Sequence, residues 1–448
     1  MNLKEIHHIY FIGIGGIGMS ALAKYFHKNG KKVGGYDKTA TKITATLQAS
    51  GIHVHFDDSI ENIPLKFQQK ETTLVVFTPA ISKENRELNF FLCNGFIVKK
   101  RAEILGDITQ NSFCFAIAGT HGKTTISSIL GHILQPYHAT SFLGGISKNY
   151  HSNLILGNDE VSVIEADEFD RSFLTLSPNI ACISSTDADH LDIFGRHTEL
   201  KQSFQEFADK VTDQLFVAKG IDIEGTSYAV ESDADYEVQK VIIENGNYIF
   251  NIKTPSELVE HVMFALPGKH NLMNALAAFA MAHFYGVPSQ NIKESLRSFK
   301  GVERRFSYRI KTESLILIDD YAHHPTEIKA IHQALEEMYP REKYLVIFQP
   351  HLFTRTQDFA EEFAKSLSKF DDVKILEIYP ARELPIQGVN SEWLLSKINS
   401  KNKSMTSEEN LASDIQKSEA KIVVMLGAGD IGMMVDRLVP QLHFKEKV

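Results

Sequence analysis

Cysteine is scarce in this chain of 448 residues, which contains three: Cys93, Cys114 and Cys182. They lie in apolar surroundings without CxxC spacing, so the sequence provides neither a disulfide framework nor a cysteine metal site. We therefore expect buried thiols in a reducing cytoplasm. Long apolar runs are also absent. No segment approaches the roughly 18 consecutive apolar residues of a membrane span, and the first residues lack the pattern of a secretory signal.

The chain carries little excess charge of either sign. Its 47 lysine and arginine residues stand against 56 aspartate and glutamate residues, which gives a formal net charge of −9. This balance argues against a general nucleic-acid binder and against a protein that binds membrane surfaces. Local groups must therefore hold any anionic ligand, and we expect small cytoplasmic molecules as substrates. The oligomeric state is left open between monomer and homodimer.

Short apolar runs alternate with helical patterns along most of the chain, which predicts α/β domains with parallel sheets covered by helices. A chain of this length exceeds what one hydrophobic core usually serves. We place three domains. Residues 1–107 are Rossmann-like, 108–310 form a central phosphate-loop domain with a small extra β region, and 311–448 are again Rossmann-like.

Two segments show the glycine pattern GxGxxG where a strand meets a helix. The first, with Gly13, Gly15 and Gly18, is followed by Asp37 at the end of a strand-like segment, as a ribose-binding acid is in NAD-binding proteins. Read alone, this pattern leaves NAD open as the ligand, although another diphosphate satisfies the loop equally well. The second pattern, at 427–432, follows the last strand, where no acidic strand end comes after it. Its glycines favour close packing and a turn.

The segment GTHGKTT at 119–125 is the strongest local signal in the sequence. A strand runs into its glycines, whose backbone N–H groups curl around phosphate oxygens, and a helix follows. Lys123 is placed to reach the terminal phosphates of a nucleotide, and Thr124 to bind Mg²⁺. The strict GxxxxGK[ST] pattern is not met, because its first glycine falls on Ile117. The order of strand, turn, lysine, threonine and helix still predicts phosphate binding.

Acidic and histidine side chains follow two later strands of the same domain. Glu165 and His190 come where parallel strands end, and ligands gather at that edge of an open sheet. With Thr124 they form an oxygen and nitrogen set that suits Mg²⁺ bridging ATP oxygens. Taken alone, His190 also fits a capping or hydrogen-bonded histidine. Asp167 and Glu168 are left open as further members of the metal shell.

Further polar groups lie near the presumed linker and in the last domain. Asn271 and Asn274 share a helix face, where they serve either as caps or as nucleotide contacts. Arg304 and Arg305 are either a solvated pair or a source of positive charge for a phosphoryl group. A cluster in the third domain follows strands with a spacing that matches no common metal pattern. Its members are Asp320, His323, His324, His351 and Arg355.

Taken together, these motifs resemble those of the Mur ligases of peptidoglycan synthesis. Nine of them occur in the family's order between positions 12 and 432, so the resemblance covers nearly the entire chain. The pattern is closest to the branch of the family that adds L-alanine. The nine motifs are IGIGGIGMSALA, AGTHGKTT, EADEFDRSFLTLSP, DADHLDIF, PGKHNLMNALAA, GVERRF, DDYAHHPTE, FQPHLFTRT and GAGDIG.

The resemblance implies an ATP-dependent ligase that joins L-alanine to the lactyl carboxylate of UDP-N-acetylmuramate. The reaction passes through an acyl phosphate and a tetrahedral intermediate, with ATP and Mg²⁺ as cofactors. The family uses no nicotinamide, so the first glycine loop holds the diphosphate of the UDP-sugar. By the same resemblance the first domain binds the UDP-sugar, the central domain binds ATP, and the third domain closes over the amino acid.

The resemblance also implies roles for individual residues. The UDP-sugar is bound by Gly13, Gly15, Gly16, Ile17, Gly18, Met19, Ser20 and Asp37. ATP is bound by Gly119, Thr120, His121, Gly122, Lys123, Thr124, Thr125, Asn271, Asn274, Arg305 and Asp320. Mg²⁺ is held by Thr124, Glu165 and His190. L-Alanine is oriented by Tyr321, His323, His351 and Arg355. The catalytic residues are Lys123, His190, Arg305 and His323, the last as a candidate base.

One position departs from the family pattern. Leu352 stands where family members often have the first arginine of PHRYTR, which removes one candidate partner for the carboxylate of alanine. The nearest alternative function is that of a recycling relative, which joins a murein tripeptide to the same UDP-sugar. From other classes, an NAD-dependent oxidoreductase and a non-catalytic ATP-binding regulator are the competing hypotheses.

Overall fold

Three sheets carry the fold in a computed structural model of the chain. The structure describes residues 5–187, 197–244, 246–381 and 383–442. The chain divides into two compact units. Unit 1 consists of Met1–Gln239, Ile252–Glu260 and Asn274–Phe299, and unit 2 of Lys240–Asn251, His261–Met273 and Lys300–Val448. The predicted α/β class with parallel sheets is confirmed, whereas the domain boundaries at 107 and 310 stay predictions.

The first sheet is parallel throughout. A helical or turn segment between successive strands returns the chain to the end of the sheet where the strands begin. Its order, β3-β2-β1-β4-β5, reverses direction at β1, and ligands bind at such a switch point. The strands are β1 His8–Ile12, β2 Lys32–Tyr36, β3 His53–His55, β4 Thr73–Phe77 and β5 Ile97–Lys100. The helices are α1 Ile17–Lys28, α2 Lys42–Ala49, α3 Arg86–Cys93 and α4 Arg101–Thr109.

The second sheet has ten strands in the order β15-β14-β13-β12-β11-β10-β6-β9-β7-β8. The apolar run of β6 lies between β9 and β10 and is parallel to both, so the carboxyl ends of these three strands meet at one edge. The strands are β6 Phe113–Ala118, β7 Thr140–Ser147, β8 Ser152–Ile155, β9 Val161–Glu165, β10 Ile180–Ile183, β11 Gln214–Ala218, β12 Thr226–Val230, β13 Tyr236–Glu244, β14 Asn247–Lys253 and β15 Leu258–Phe264. The helices are α5 Lys123–Leu134, α6 His197–Ala208, α7 Lys269–Phe284 and α8 Ser289–Ser298.

The third sheet has the order β16-β17-β21-β18-β19-β20, and only β16 is antiparallel to its neighbour. The strands are β16 Ser307–Lys311, β17 Ile316–Asp320, β18 Tyr344–Phe348, β19 Asp372–Ile375, β20 Asn402–Met405 and β21 Ile422–Leu426. The helices are α9 Pro325–Met338, α10 Phe353–Asp358, α11 Ala360–Leu367, α12 Ser391–Lys397, α13 Leu411–Lys417 and α14 Ile431–Leu442. Short 3-10 helices cover Ile60–Asn62, Leu65–Gln68, Gln135–Tyr137, Phe169–Thr175 and Glu408–Asn410.

The first and second sheets share one hydrophobic core within unit 1. Helix α1 packs against β7 and β8, and the rings of Tyr25 and Phe142 meet edge to face at 5.2 Å. Polar bonds accompany this packing, since Lys24 Nζ donates to the buried Asn153 Oδ1 at 2.8 Å and the Tyr25 hydroxyl donates to Asp159 at 2.8 Å. The glycine loop of the first sheet is thereby fixed on the second.

The cysteines correct one expectation. Cys114 and Cys182 are buried, but Cys93 is exposed. The prediction was wrong there because α3 buries Leu88 and Phe91 against the sheet and turns its last residue outward. Within the described ranges no helix is long and apolar enough to cross a membrane.

Candidate active site

The phosphate loop forms where β6 ends, between the carboxyl ends of β9 and β10. Gly119 and Gly122 adopt φ values of +128° and +85°, which favour glycine. A Cβ at Gly119 would also lie 2.2 Å from Ser184 Oγ, so a larger residue does not fit there. Helix α5 begins at Lys123 directly after the loop, and its first N–H groups have no partner within the helix. This is the predicted geometry of a phosphate site.

Lys123 is held in the loop by an acidic partner. Its Nζ donates to Gly119 O at 2.6 Å and to the two carboxylate oxygens of Glu168 at 2.7 and 2.9 Å. Burial lowers the pKa of Lys123, but the carboxylates of Glu168, Asp167 and Glu165 outweigh burial and raise it above its ordinary value. The ammonium is therefore charged, and the fully buried Glu168 has a lysine as its partner.

Thr124 and Glu165 meet beside the loop. The register pairs Ile117 of β6 with Glu165 at the end of β9, which brings the carboxylate to the start of α5. Thr124 Oγ1 donates to Glu165 Oε1 at 2.9 Å, and Gly144 N donates to Oε2 at 2.8 Å. A hydroxyl and a carboxylate are the hard oxygen ligands that Mg²⁺ prefers, so both fit the predicted ion. His190, the third predicted ligand, lies outside the described residues.

Two serines after β10, which the sequence analysis missed, hold the other side of the loop. Thr120 Oγ1 lies 2.6 Å from Ser185 Oγ, and His121 N donates to the same oxygen at 2.9 Å. Ser184 Oγ donates to His121 O. The neighbouring Thr125 side chain is buried. The signal was present in the sequence, because hydroxyl residues directly after a strand beside the phosphate loop are well placed to bind its backbone.

The two asparagines of α7 have different surroundings. Asn271 Nδ2 donates to Pro267 O at 2.6 Å, which ties the third residue of α7 to the segment before the helix. The Asn274 carboxamide lies against the phosphate loop, since a Cβ at Gly122 would come within 2.5 Å of its Oδ1. Asn274 is therefore placed to contact a nucleotide bound at the loop.

The first glycine loop is closed by Asp37. Its Oδ2 accepts from Gly15 N at 2.7 Å and its Oδ1 accepts from Thr39 N at 3.0 Å. Gly13 has a φ of +88° and donates from its N–H to Tyr36 O at 2.8 Å. These bonds shape the loop before α1 begins at Ile17, and they engage both oxygens of the predicted ribose acid.

The other predicted residues of this loop divide by exposure. Gly16, Ile17 and Gly18 keep part of their surface accessible, whereas Met19 and Ser20 are buried. The Ser20 hydroxyl donates to Ile17 O at 3.0 Å and accepts from Asn153 Nδ2 at 2.8 Å. The accessible part is thus the backbone at the start of α1, which suits an anion.

In unit 2 the four residues predicted to orient the amino acid form a row. The rings of Tyr321 and His323 lie 5.3 Å apart, and those of His323 and His351 lie 6.1 Å apart. Arg355 Nη1 lies 3.5 Å from His351 Nδ1, and the Arg355 side chain is largely buried. The His351 ring stacks on Tyr379 at 5.8 Å. Residues after β17 and β18 are brought together as predicted.

The contacts of His323 fix the tautomer of its neutral ring. Its Nδ1 lies 3.0 Å from Tyr321 O, a carbonyl that can only accept, so Nδ1 carries the proton in the neutral ring. The lone pair is then on Nε2. His323 N donates to Glu327 Oε2 at 2.9 Å, and Arg305 Nη1 lies 3.8 Å from Glu327 Oε1. Glu327 is the last residue of the motif DDYAHHPTE, and it was missed because a glutamate in the first turn of a helix usually serves as a cap.

Asp320, the last residue of β17, bonds to the backbone just before β16. Its carboxylate accepts from Phe306 N at 2.6 Å and from Ala322 N at 2.7 Å. Burial raises the pKa of Asp320 to about 6, although Arg305 and the two N–H bonds oppose this. Asp320 thus has two backbone partners in the structure, and its predicted contact with ATP stays a prediction.

The last glycine pattern encloses an arginine. Arg304 Nη2 donates to Gly427 O, Nη1 donates to Gly429 O at 3.5 Å, and Nε lies 3.3 Å from Asp319 Oδ1. A Cβ at Gly432 would come within 2.6 Å of the Arg304 guanidinium carbon. These glycines serve close packing and a turn, as the sequence predicted.

Leu352 is buried at the start of α10 with a φ of +69°, a conformation that is costly for a side chain with a Cβ. Its N–H donates to Tyr379 O at 3.0 Å. The position is therefore held by the backbone of the neighbouring segment, and its apolar side chain is buried.

Comparison with known proteins places these sites in one family. The Mur ligase family catalytic domain matches residues 8–113, the Mur ligase middle domain matches 117–282, and the Mur ligase glutamate ligase domain matches 304–431. UDP-N-acetylmuramate–L-alanine ligase of Flavobacterium psychrophilum is 56% identical over 99% of this chain and 100% of its own length.

Two solved structures are similar over nearly the full length. UDP-N-acetylmuramate-alanine ligase of Thermotoga maritima has a TM-score of 0.84 and 28% identity, covering 97% of this chain and 99% of its own. A murein peptide ligase of Psychrobacter arcticus shares the fold with a TM-score of 0.69 and 21% identity, covering 99% of this chain and 100% of its own. The chain belongs to the Mur ligase family.

Proposed function

We propose that this chain joins L-alanine to the lactyl carboxylate of UDP-N-acetylmuramate, with ATP converted to ADP and phosphate, in peptidoglycan precursor synthesis. The observation that carries the proposal is the full-length identity of 56% to a relative named for this reaction. The site agrees with it, since the charged Lys123 and the Thr124–Glu165 pair lie at one phosphate loop.

The first step activates a poor acyl donor. Attack on a free carboxylate would have to expel an oxide-like leaving group, so the lactyl carboxylate takes the γ-phosphoryl group of ATP instead. Lys123 and the N–H groups at the start of α5 stabilise the charge on that group. Thr124 and Glu165 would hold Mg²⁺, which supplies further positive charge to the phosphate oxygens. We also assign to Arg305 the stabilisation of the negative charge on the transferred phosphoryl group.

The second step is attack of the L-alanine amine on the acyl phosphate, followed by loss of phosphate from a tetrahedral intermediate. The amine must be neutral to attack. His323 Nε2 has the lone pair that takes the ammonium proton, because Nδ1 faces the carbonyl of Tyr321. Arg355 is the partner for the alanine carboxylate. Its guanidinium is positioned by His351, whose Nδ1 lies next to Arg355 Nη1.

The competing functions find less support. An NAD-dependent oxidoreductase has no counterpart among the family models that match this chain, which are those of Mur ligases over residues 8–113, 117–282 and 304–431. A murein tripeptide ligase shares the fold, but the compared structure of that function has the lower TM-score, 0.69 against 0.84.

An end-point assay tests the proposal. The protein is incubated with ATP, Mg²⁺ and UDP-N-acetylmuramate, and receives L-alanine, glycine or the murein tripeptide in separate reactions. We expect phosphate release and a product whose mass equals the UDP-sugar plus alanine minus water. Product only with the tripeptide would contradict the choice of acceptor, and no product with any amine would contradict the ligase function.

A further inference from the structure

Arg101 lies beside the first glycine loop, although no motif of the sequence marks it. It is the first residue of α4, which follows β5 at the carboxyl edge of the first sheet. A Cβ at Gly18 would lie 2.5 Å from Arg101 Nη1 and 3.0 Å from Cζ, so the guanidinium lies against the first turn of α1. The third glycine of such a loop usually permits close packing of helix on strand. Here the glycine makes room for a cation.

The guanidinium of Arg101 has donors to spare. Within the described ranges its ion pair is with Asp167, and the Nη2 to Oδ2 distance of 3.9 Å exceeds a hydrogen bond. The side chains of Arg101 and Asp167 are 26% and 41% exposed. An arginine offers five N–H donors in a planar fork that matches phosphate oxygens. The fork thus lies near Asp167 and is partly exposed.

Arg304, at the last GxGxxG pattern, is the arginine with which Arg101 can be compared, because protein acceptors bind its guanidinium donors. It too lies against the third glycine of a GxGxxG pattern, but its donors go to Gly427 O, Gly429 O and the buried Asp319. Arg101 makes no such set of bonds within the described part of the chain. The two glycine–arginine contacts are alike, and the difference lies in the acceptors that the protein supplies.

We propose that Arg101 binds the diphosphate of the UDP-sugar, together with the backbone N–H groups at the start of α1, and that Asp167 orients its guanidinium. This inference rests on the proposed function, which places a diphosphate at that loop. The bound anion would receive the partial positive charge of the helix N-terminus and a full charge from Arg101. A chain with a net charge of −9 needs such a local cation to hold a dianionic ligand.

Calorimetry with Arg101→Ala and Arg101→Lys tests the contact, with UDP-N-acetylmuramate and UDP as separate probes. The matched control is Arg86→Ala, because Arg86 also begins a helix of the first domain and pairs with an aspartate, Asp58, at 3.5 Å. We expect Arg101→Ala to weaken both probes by about 10- to 100-fold, as loss of a charge-assisted contact does. Arg101→Lys, which retains the charge without the fork, should lose less. Arg86→Ala should bind both probes with wild-type affinity. The KM of the Arg101 variants for ATP should equal that of the wild type.

The outcomes separate the two claims. Wild-type protein that binds no UDP-N-acetylmuramate would contradict the proposed function itself. Wild-type binding together with unchanged affinity in Arg101→Ala would overturn only the role of Arg101. A loss for UDP-N-acetylmuramate but not for UDP would also overturn it, because that result places the contact on the sugar or its carboxylate. If Arg101→Ala fails to fold, full wild-type affinity of Arg101→Lys for both probes overturns the bidentate contact.

Discussion

The two GxGxxG loops of this chain share a sequence pattern, yet they differ in what occupies them. In the first, at Gly13 to Gly18, Asp37 closes the turn and the backbone at the start of α1 stays accessible. In the last, at Gly427 to Gly432, the guanidinium of Arg304 fills the loop and binds two of its carbonyl oxygens. One loop is open to an anion, and the other already holds a cation.

The difference shows what a glycine pattern means physically. Glycine permits close approach of some other group to the backbone, and the pattern does not say whether that group is a ligand or a side chain. The direction of the exposed backbone groups decides, since N–H groups favour anions and carbonyl groups favour cations. The phosphate loop at 119–125 resembles the first glycine loop in this respect, because a helix begins directly after it and presents its first backbone N–H groups to the loop.

The largest effect should come from Lys123→Ala, which sets the standard for a loop that binds phosphate. We expect turnover to fall about 1000-fold or more, because the transferred phosphoryl group loses a fixed positive charge. Steady-state kinetics with saturating substrates measure this loss. The substitution also leaves the buried Glu168 without its lysine, so Lys123→Ala combined with Glu168→Gln is the control for stability. A fully active Lys123→Ala protein would refute the assigned role.

Removing the arginine from the last loop should act on stability instead. In Arg304→Ala the fully buried Asp319 retains Arg309 at 3.5 Å and loses its nearer partner. We expect a loss of about 3 kcal/mol in the free energy of unfolding, measured with denaturant, and an unchanged affinity for UDP-N-acetylmuramate. Arg437→Ala, which removes an exposed pair with Glu408, should leave stability close to wild type. Weaker UDP-sugar binding in Arg304→Ala would contradict the claim that the last glycine loop has only a structural role.

Substituting the third glycine of each loop compares them directly. Gly432→Ala should cost about 1–3 kcal/mol of stability, because Arg304 is held by several acceptors and cannot shift cheaply. Gly18→Ala should displace the guanidinium of Arg101 and weaken UDP-sugar binding by about tenfold, with a smaller change in stability. Thermal unfolding and calorimetry on both variants give the two readouts. Equal losses of affinity in the two variants would contradict the difference we describe.

The smallest effect concerns Glu87, a buried acid of the first domain that has no arginine partner among the described residues. Glu87 accepts from the Tyr10 hydroxyl at 2.8 Å and lies 3.3 Å from His55 Nε2. Burial raises the pKa of Glu87 to about 8; the Tyr10 bond opposes this, and the carboxylates of Asp58 and Asp57 reinforce it. Burial lowers the pKa of His55, so the neutral forms of both groups are favoured.

The sign of the resulting pH dependence follows from the bound protons. Between about pH 6.5 and 8 the folded chain keeps the Glu87 proton that the unfolded chain has released. Stability should therefore fall as pH rises through this range, by at most about 1.4 kcal/mol per pH unit. Unfolding of Glu87→Gln and wild type across this range measures the contribution, and we expect a flatter profile for the variant. Identical slopes would show that Glu87 carries no shifted proton.

The parts of the site that follow strands could be predicted from sequence. The carboxyl ends of parallel strands share an edge, so Thr124 and Glu165 meet, and so do His323 and His351. Their mutual placement required only strand order and the positions where strands end.

Contacts between distant elements could not be predicted. Arg101 reaches Gly18 from another helix, and Arg305 reaches Glu327 from the segment before β16, without any local pattern. The use of Asp37 and Asp320 by backbone N–H groups was likewise invisible, because a carboxylate that caps a turn and one that binds a ligand have the same sequence context. The burial of Met19 and Ser20 depends on a core shared with the second sheet.

Titration of UDP-N-acetylmuramate into wild type, Gly18→Ala and Gly432→Ala tests the central claim most directly. We predict one binding site per chain in the wild type, weaker binding in Gly18→Ala, and wild-type affinity in Gly432→Ala, with NADH giving no heat of binding. Binding of NADH in place of the UDP-sugar, or loss of UDP-sugar affinity in Gly432→Ala but not in Gly18→Ala, would contradict the account.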